Sequence, residues 1–344
     1  MDATEFELST ESLRHELLAH CYRMLGAVND AEDAVQETYL RAWRAYGRFD
    51  GRSSVRVWLY RIATNACLNT IRRRDRRVLP SGLGRPTENP RAEPVPGGAG
   101  VAWLEPIPDT LVTHESEDPA TIVATRESIR LALIATLQYL PGRQRAVLIL
   151  RDVLGFPAPE VAEMLDTTTA AVKSALQRAR ARLRQAAPVP DDVPALADSE
   201  QRALLERYIA AFEAADAAAL KRLLRADAIL EATPLRTWFA GRSSCMPYLA
   251  ERVLGSPGDW RMLPSRANGQ PAALAYVRKS DGTHAPYGVV LLTATSAGIA
   301  GIHAFGDPDL VGRFPHATSR EGSAVDLRTR ETRHRRWRRR PAPT

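Results

Sequence analysis

Apolar residues recur at helical spacing through most of the first 77 residues. Leu13, Leu17, Cys21 and Leu25 form one stripe, and Ala31, Val35, Tyr39, Ala42 and Tyr46 form a second with some drift of the face. Asn29, followed by Glu32, predicts a capped start for the second helix. A third helix is expected from about Val55 to Arg74. Over residues 78–118 Pro and Gly are dense and the periodicity is lost, which predicts a linker. Within it, "WLEPIPD" is apolar enough to mark a contact point. Helical patterning resumes from Pro119 to Ala187 and stops at a second Pro-rich joint, "PVPDDVP". From Ser199 two further helices lead into four strand-like runs, "AILEAT", "AALAYV", "YGVVLLTAT" and "GIAGIHAF". Helices first and strands afterwards argue for an α+β domain. Residues 316–344 are polar and Arg-rich, the composition of a disordered tail. The expected fold is therefore multidomain: two all-α helical domains, over 8–77 and 119–187, followed by an α+β domain over 199–315.

Two helices carry side chains that a buried stripe does not need. In "VRVWLYRIATNACLNTIRRR", Leu59, Ile62, Ala63 and Ala66 share the inward face, while Trp58, Arg61, Asn65 and Arg72 line up on another. An aromatic ring stacks on unpaired bases, an amide reads a base edge and guanidinium groups neutralise phosphate. The competing reading, Trp58 packed inside and the arginines solvating a helix end, stays open. The segment "PAPEVAEMLDTTTAAVKSALQRARARL" reads as a short helix, a break at "DTT" and a longer helix, the helix-turn-helix layout, although its turn lacks the common Gly. Val161, Ala162, Leu165, Val172, Leu176, Ala179 and Leu183 point inward. Thr169, Lys173, Ser174, Gln177 and Arg178 form the outer face, with Arg180 and Arg182 beyond. Ser and Gln reach base edges, and Lys and Arg hold phosphates.

Charge changes the picture less than the pI implies. The formal net charge is +7, and the segment from Arg328 onward, with eight Arg and one Glu, carries all of it. DNA binding must therefore rest on local patches. The three cysteines are far apart and odd in number, which indicates neither a disulfide framework nor a zinc site. The acidic start "MDATEFELSTES" is not a signal peptide, and no apolar run is long enough to span a bilayer. A cytoplasmic protein is expected.

One helix poses a sharper question. The stretch "NDAEDAVQETYLRAW" presents Asp33, Gln36 and Glu37 together on its outer face. A helix dipole explains acids near the N-terminus but not Gln36 and Glu37 a turn further on. The order of "YRMLGAVNDAEDAVQETYLRAW", "VWLYRIATNACLNTIRRR", "LQYLPGRQRAVLILRDVLGFPAPEVAEML" and "AAVKSALQRARARL" resembles the sigma-70 family of RNA polymerase sigma factors, extracytoplasmic-function type, over about residues 8–187. The resemblance implies that Asp33, Gln36 and Glu37 dock on the β′ subunit of core polymerase. It implies that residues 10–77, with Trp58, Arg61, Asn65 and Arg72, melt and read the −10 element. The helix-turn-helix would read the −35 element as duplex, and the linker would thread the polymerase channel. Core polymerase (β′ and β subunits) and promoter DNA are the implied partners, with an anti-sigma protein or small ligand as a further one.

The remaining domain, through "TP…TWFAGR" and the strands after it, resembles a SnoaL-like cone. Glu231, Tyr276, His303 and Asp307 are its titratable candidates, and Glu231 with His303 could share a cavity. No nucleophile–base pair or ligand spacing appears, so neither an enzyme nor a cofactor is expected. The domain is expected to modulate polymerase engagement. A stand-alone helix-turn-helix regulator with a ligand-binding domain is the alternative, and it leaves the acidic helix and the Trp58 stripe unexplained. A DNA-tethered isomerase or cyclase is a third reading.

Overall fold

The computed structural model describes residues 10–47, 49, 51, 53–113, 118–186 and 196–315. The joint at 188–194 and the tail at 316–344 lie outside the described residues. Helices α1 (Arg14–Leu25), α2 (Val28–Tyr46) and α3 (Val55–Arg73) form the first bundle. Gly26 ends α1 at φ +72°, and a Cβ there would stand 2.6 Å from Leu104 and 3.0 Å from the Gln138 side chain. Glycine is thus required both for the left-handed turn and for the approach of two later segments. The second helix starts two residues earlier than predicted, behind Ala27, with no side-chain cap. Asn29 and Glu32 do not form a capping box. Both accept hydrogen bonds from Arg313, near the end of the described chain.

The second bundle comprises α4 (Pro119–Ser128), α5 (Leu131–Leu137), α6 (Gly142–Leu148), α7 (Ala158–Met164) and α8 (Thr169–Ala186), with a π-helical turn at Ile149–Val153 after α6. Asp118 caps α4 by accepting from the Thr121 N–H at 3.2 Å. Between α7 and α8 the left-handed position that usually calls for Gly is taken by Asp166 at φ +49°. Asp tolerates that region better than most residues.

The two bundles share one hydrophobic core. Tyr60 of α3 meets Phe156 edge to face, with ring centroids 5.0 Å apart, and the Arg56 guanidinium lies 4.8 Å from the Phe156 ring centre. Arg145 of α6 donates to the Met24 carbonyl in the last turn of α1.

The last domain begins with α9 (Asp198–Glu213) and α10 (Ala217–Leu223), then β1 (Leu224–Thr233), β2 (Trp238–Ala240) and α11 (Arg242–Tyr248). Strands β3 (Trp260–Ala267), β4 (Gln270–Arg278), β5 (His284–Thr295) and β6 (Gly298–Phe305) follow, then a short α12 (Pro308–Val311). The sheet order is β2-β1-β6-β5-β4-β3, with β1 and β6 parallel and the other pairs antiparallel. This is the expected α+β class. Two strands were not foreseen: β2 is only three residues long, and β3 contains Pro264 and polar residues.

Both faces of this sheet are covered. Ala273, Ala275, Val290, Leu292 and Ile302 pack towards the helices of the same domain. Ala272, Leu274, Tyr276, Val289 and Leu291 belong instead to the core shared by the two bundles. That explains why "AALAYV" and "GVVLL" are apolar throughout rather than alternating. The segment after α3 is a strap rather than a free coil. Val95 and Gly97 exchange backbone hydrogen bonds with Arg236 and Pro234, and the Thr87 N–H reaches the Trp238 carbonyl at 2.9 Å. Its "WLEPIPD" stretch buries Leu104 and Ile107 and is, as expected, a contact point.

Candidate polymerase and DNA interface, and the clasp behind it

On α2 the buried stripe runs through Ala31, Ala34, Val35 and Thr38, which leaves Asp33, Gln36 and Glu37 exposed on the opposite side. Glu37 pairs with Arg41 one turn on, at 2.6 Å. Leu40 and Trp43 continue the same face, 53% and 49% exposed. Sequence periodicity did not single them out, because lone apolar residues on an outer face are common.

On α3, Arg61, Asn65 and Arg72 are exposed and Trp58 is half-buried. Trp58 is packed in an aromatic group, 4.8 Å from the Phe49 ring centre and 6.3 Å from that of Tyr46. The packing reading therefore holds for part of Trp58. Asn65 donates to the Arg61 carbonyl at 2.9 Å. On α8, Lys173, Ser174, Gln177 and Arg178 are exposed and Thr169 is half-buried. Arg180 is held by Asp152 in a two-pronged pair at 2.7 and 2.8 Å. It thereby ties α8 to the turn after α6, a role its sequence position did not reveal.

Of the four titratable candidates in the last domain, only Glu231 and His303 come together. They are register neighbours on β1 and β6, with His303 Nδ1 3.0 Å from Glu231 Oε2. Tyr276 is buried in the shared core. Asp307 is exposed and caps α12. The pair does not face an open cavity, because the Ser81 N–H of the strap donates to Glu231 Oε1 at 2.7 Å. Burial raises the Glu231 pKa, but the His303 and Ser81 contacts outweigh it and hold the carboxyl below its ordinary 4.5. A depressed carboxylate contributes stability above the unfolded value and loses it as pH falls through the folded one. Glu231→Gln is thus expected to destabilise most near neutral pH and to converge on the parent well below pH 4.5, as read by urea denaturation. Among the described residues, no group of three His, Cys, Asp or Glu side chains could hold a metal ion.

A residue the sequence reading missed ties the parts together. Asn268 and Gly269, at φ +54° and +66°, form the two-residue turn between β3 and β4. Asn268 is fully buried. Its Oδ1 accepts from the Ile107 N–H of the strap at 3.0 Å, and its own N–H donates back to the Ile107 carbonyl at 3.0 Å. Its Nδ2 donates to Tyr22 Oη of α1 and to the Ile129 carbonyl between α4 and α5, both at 2.7 Å. Beside it, Gln270 accepts from the Leu131 N–H at 3.1 Å, and Asp109 accepts from the Gly269 N–H at 2.8 Å. Asp109 also lies 3.3 Å from Arg266 and 3.5 Å from Arg126. One hairpin tip thus holds the first bundle, the strap and the second bundle at once. An Asn-Gly dipeptide signals the hairpin, but its three partners are between 139 and 246 positions away.

Comparison with known proteins fits this layout. The Sigma-70 region 2 family matches residues 10–77, and the Sigma-70 region 4 family matches residues 130–183. The ECF RNA polymerase sigma factor SigG of Mycobacterium tuberculosis is 49% identical over 312 residues, covering 90% of this chain and 83% of that protein. This chain belongs to the extracytoplasmic-function sigma factors. The RNA polymerase sigma-H factor of Pseudomonas aeruginosa is 30% identical over 179 residues, 52% of this chain and 84% of its own. The crystal structure of the M. tuberculosis sigma factor SigJ, 22% identical, superposes with a TM-score of 0.56 over 91% of this chain and 99% of its own. The likeness in fold therefore extends past the two sigma regions into the sheet domain. As a sigma factor, the protein is a transcription initiation factor that acts with core RNA polymerase and promoter DNA. Nothing favours the stand-alone regulator, which leaves the region 2 match unexplained. No described helix is long and apolar enough to cross a membrane.

Proposed function

We propose that this sigma factor docks on the β′ subunit through Asp33, Gln36 and Glu37, with Leu40 and Trp43 extending the contact. Arg61, Asn65 and Arg72, with the accessible side of Trp58, meet the −10 element. The outer face of α8, from Thr169 to Arg178, meets the −35 duplex. The observation behind this reading is one of exposure. The fold fuses two bundles and covers both faces of its sheet, yet it leaves ten of these expected polar contacts exposed, and Trp58 and Thr169 half-exposed. The protein carries no chemistry of its own and works in the cytoplasm, where core polymerase is. Its C-terminal domain acts as a clasp: as folded, the separation of the −10 and −35 readers is fixed by Asn268 and its neighbours, and full engagement requires that contact to release.

A phosphate-contacting side chain and a base-reading one should respond differently. Lys173→Ala is expected to weaken −35 duplex binding alike on matched and scrambled sequences and to lower the salt slope by about one. Gln177→Ala should lower the preference for the matched sequence and leave the slope unchanged. Fluorescence anisotropy across a salt series reads both. Unchanged affinity in both variants would remove α8 as the reader.

A further inference from the structure

The last described residues sit against the helix that carries the acidic row. Leu310 and Val311 of α12 and Phe314 just after it are buried in the core shared by the two bundles, which fixes this end of the described chain. From there Arg313 reaches across to the first turns of α2 and donates to both Glu32 and Asn29. Asn29 is exposed and stands one turn before Asp33, which stands one turn before Glu37. Residues four apart on a helix are surface neighbours. Arg313 therefore occupies the head of the row that carries the exposed acids. Among the described residues nothing continues what Arg313 begins. Asp33 makes no ion pair, and Glu37 pairs only with Arg41 of its own helix. Gln36 and the half-exposed Leu40 run beside them.

Beyond Pro315 the sequence runs on through residues 316–344, and within it Arg328–Arg340 holds eight Arg, Trp337 and a single Glu. That segment is opposite in charge to the row on α2, and its Trp matches the apolar surface of Leu40 and Trp43 further along the same face. Reach is ample. From Arg313 to Arg328 an extended chain covers up to about 50 Å, whereas Asn29 to Trp43 is about 21 Å along the helix. A tether that spans its site gives an effective concentration in the millimolar range, so contacts too weak to bind in trans are occupied in cis.

We propose that Arg328–Arg340 docks on the outer face of α2, its guanidinium groups pairing with Asp33 and Glu37 and Trp337 meeting Leu40 and Trp43, and that it competes there with core polymerase. Arg313 sets the point from which the segment approaches. Guanidinium–carboxylate pairs supply direction, and the shared aromatic and aliphatic surface is covered at the same time. Polymerase must displace the segment before it can use the face. The competition rests on the assignment of this face to the β′ subunit; the docking of the segment does not.

Two measurements on the full chain separate these parts. With a benzophenone photo-crosslinker in place of Trp337 and no polymerase present, a cross-link to α2 is expected, and the Asp33→Arg, Glu37→Arg protein should lose it. Replacing all eight Arg of 328–340 with Gln alters no described element and is expected to strengthen association with immobilised core polymerase about tenfold at low salt, a gain that shrinks as salt rises. A cross-link that misses α2, or one that survives the charge reversal, would overturn the docking. A cross-link on α2 without any gain in the neutralised chain would overturn the competition. If the charge reversal also left polymerase association unchanged, the fault would lie with the assigned docking face. Weaker promoter binding by the neutralised chain, with no cross-link to α2, would overturn the proposal in favour of DNA as the partner of this segment.

Discussion

Reversing two charges on α2, Asp33→Arg together with Glu37→Arg, is expected to weaken association with core RNA polymerase about a hundredfold. Close charge pairs at an interface couple by about 1.5 kcal/mol or more each, and reversal replaces attraction with repulsion. Both side chains are exposed, and the only described ion pair either of them makes is that of Glu37 with Arg41. Folding stability should therefore shift by about 0.5 kcal/mol or less. The two readouts separate cleanly: surface-plasmon resonance on immobilised core polymerase reports the first and thermal melting the second. Unchanged association would remove the acidic face as the docking site, whereas a large drop in melting temperature would show that α2 needs those acids to fold.

The second large effect belongs to the hairpin tip. Asn268→Ala removes the acceptor for the Ile107 N–H and the donor to the Ile129 carbonyl and Tyr22 Oη, all deep in the protein. Each buried group left without a partner costs about 1–3 kcal/mol. An Ala at φ +54° adds roughly 1–2 kcal/mol of backbone strain. A loss of about 4 kcal/mol is expected in urea denaturation. Asn268→Gly tolerates the turn but lacks the side chain, so it should recover only the backbone part. In both variants the strap over residues 78–113 should be cut faster by protease, because Ile107 keeps only the backbone half of its two-bond anchor. Wild-type stability and cleavage rate in Asn268→Ala would contradict the clasp.

Much of this organisation was legible in the sequence, and the reason is local. The three helices of region 2, the break before α8 and the inward stripe of Val161, Val172 and Ala179 follow from apolar spacing alone. The outer rows on α2, α3 and α8 were visible because polar side chains that no core requires stood at fixed helical intervals. What was hidden depends on residues far apart in the chain. The spacing of Asn29 and Glu32 matches a capping box, yet both meet Arg313. No local pattern announces a partner more than 280 positions away. The strap reads as coil because Pro and Gly erase periodicity, although its backbone is paired to the sheet. In sequence, Glu231 and His303 could share a cavity. They do share a face, but Ser81 covers it, and a lid drawn from another segment leaves no trace in strand alternation.

The account is tested most directly by run-off transcription with core polymerase reconstituted with the full-length chain on a genomic template library. It predicts discrete, promoter-specific transcripts that core polymerase alone does not make and that the Asp33→Arg, Glu37→Arg protein fails to support. A chain that leaves core polymerase without new start sites, while binding the enzyme and remaining folded, would contradict it.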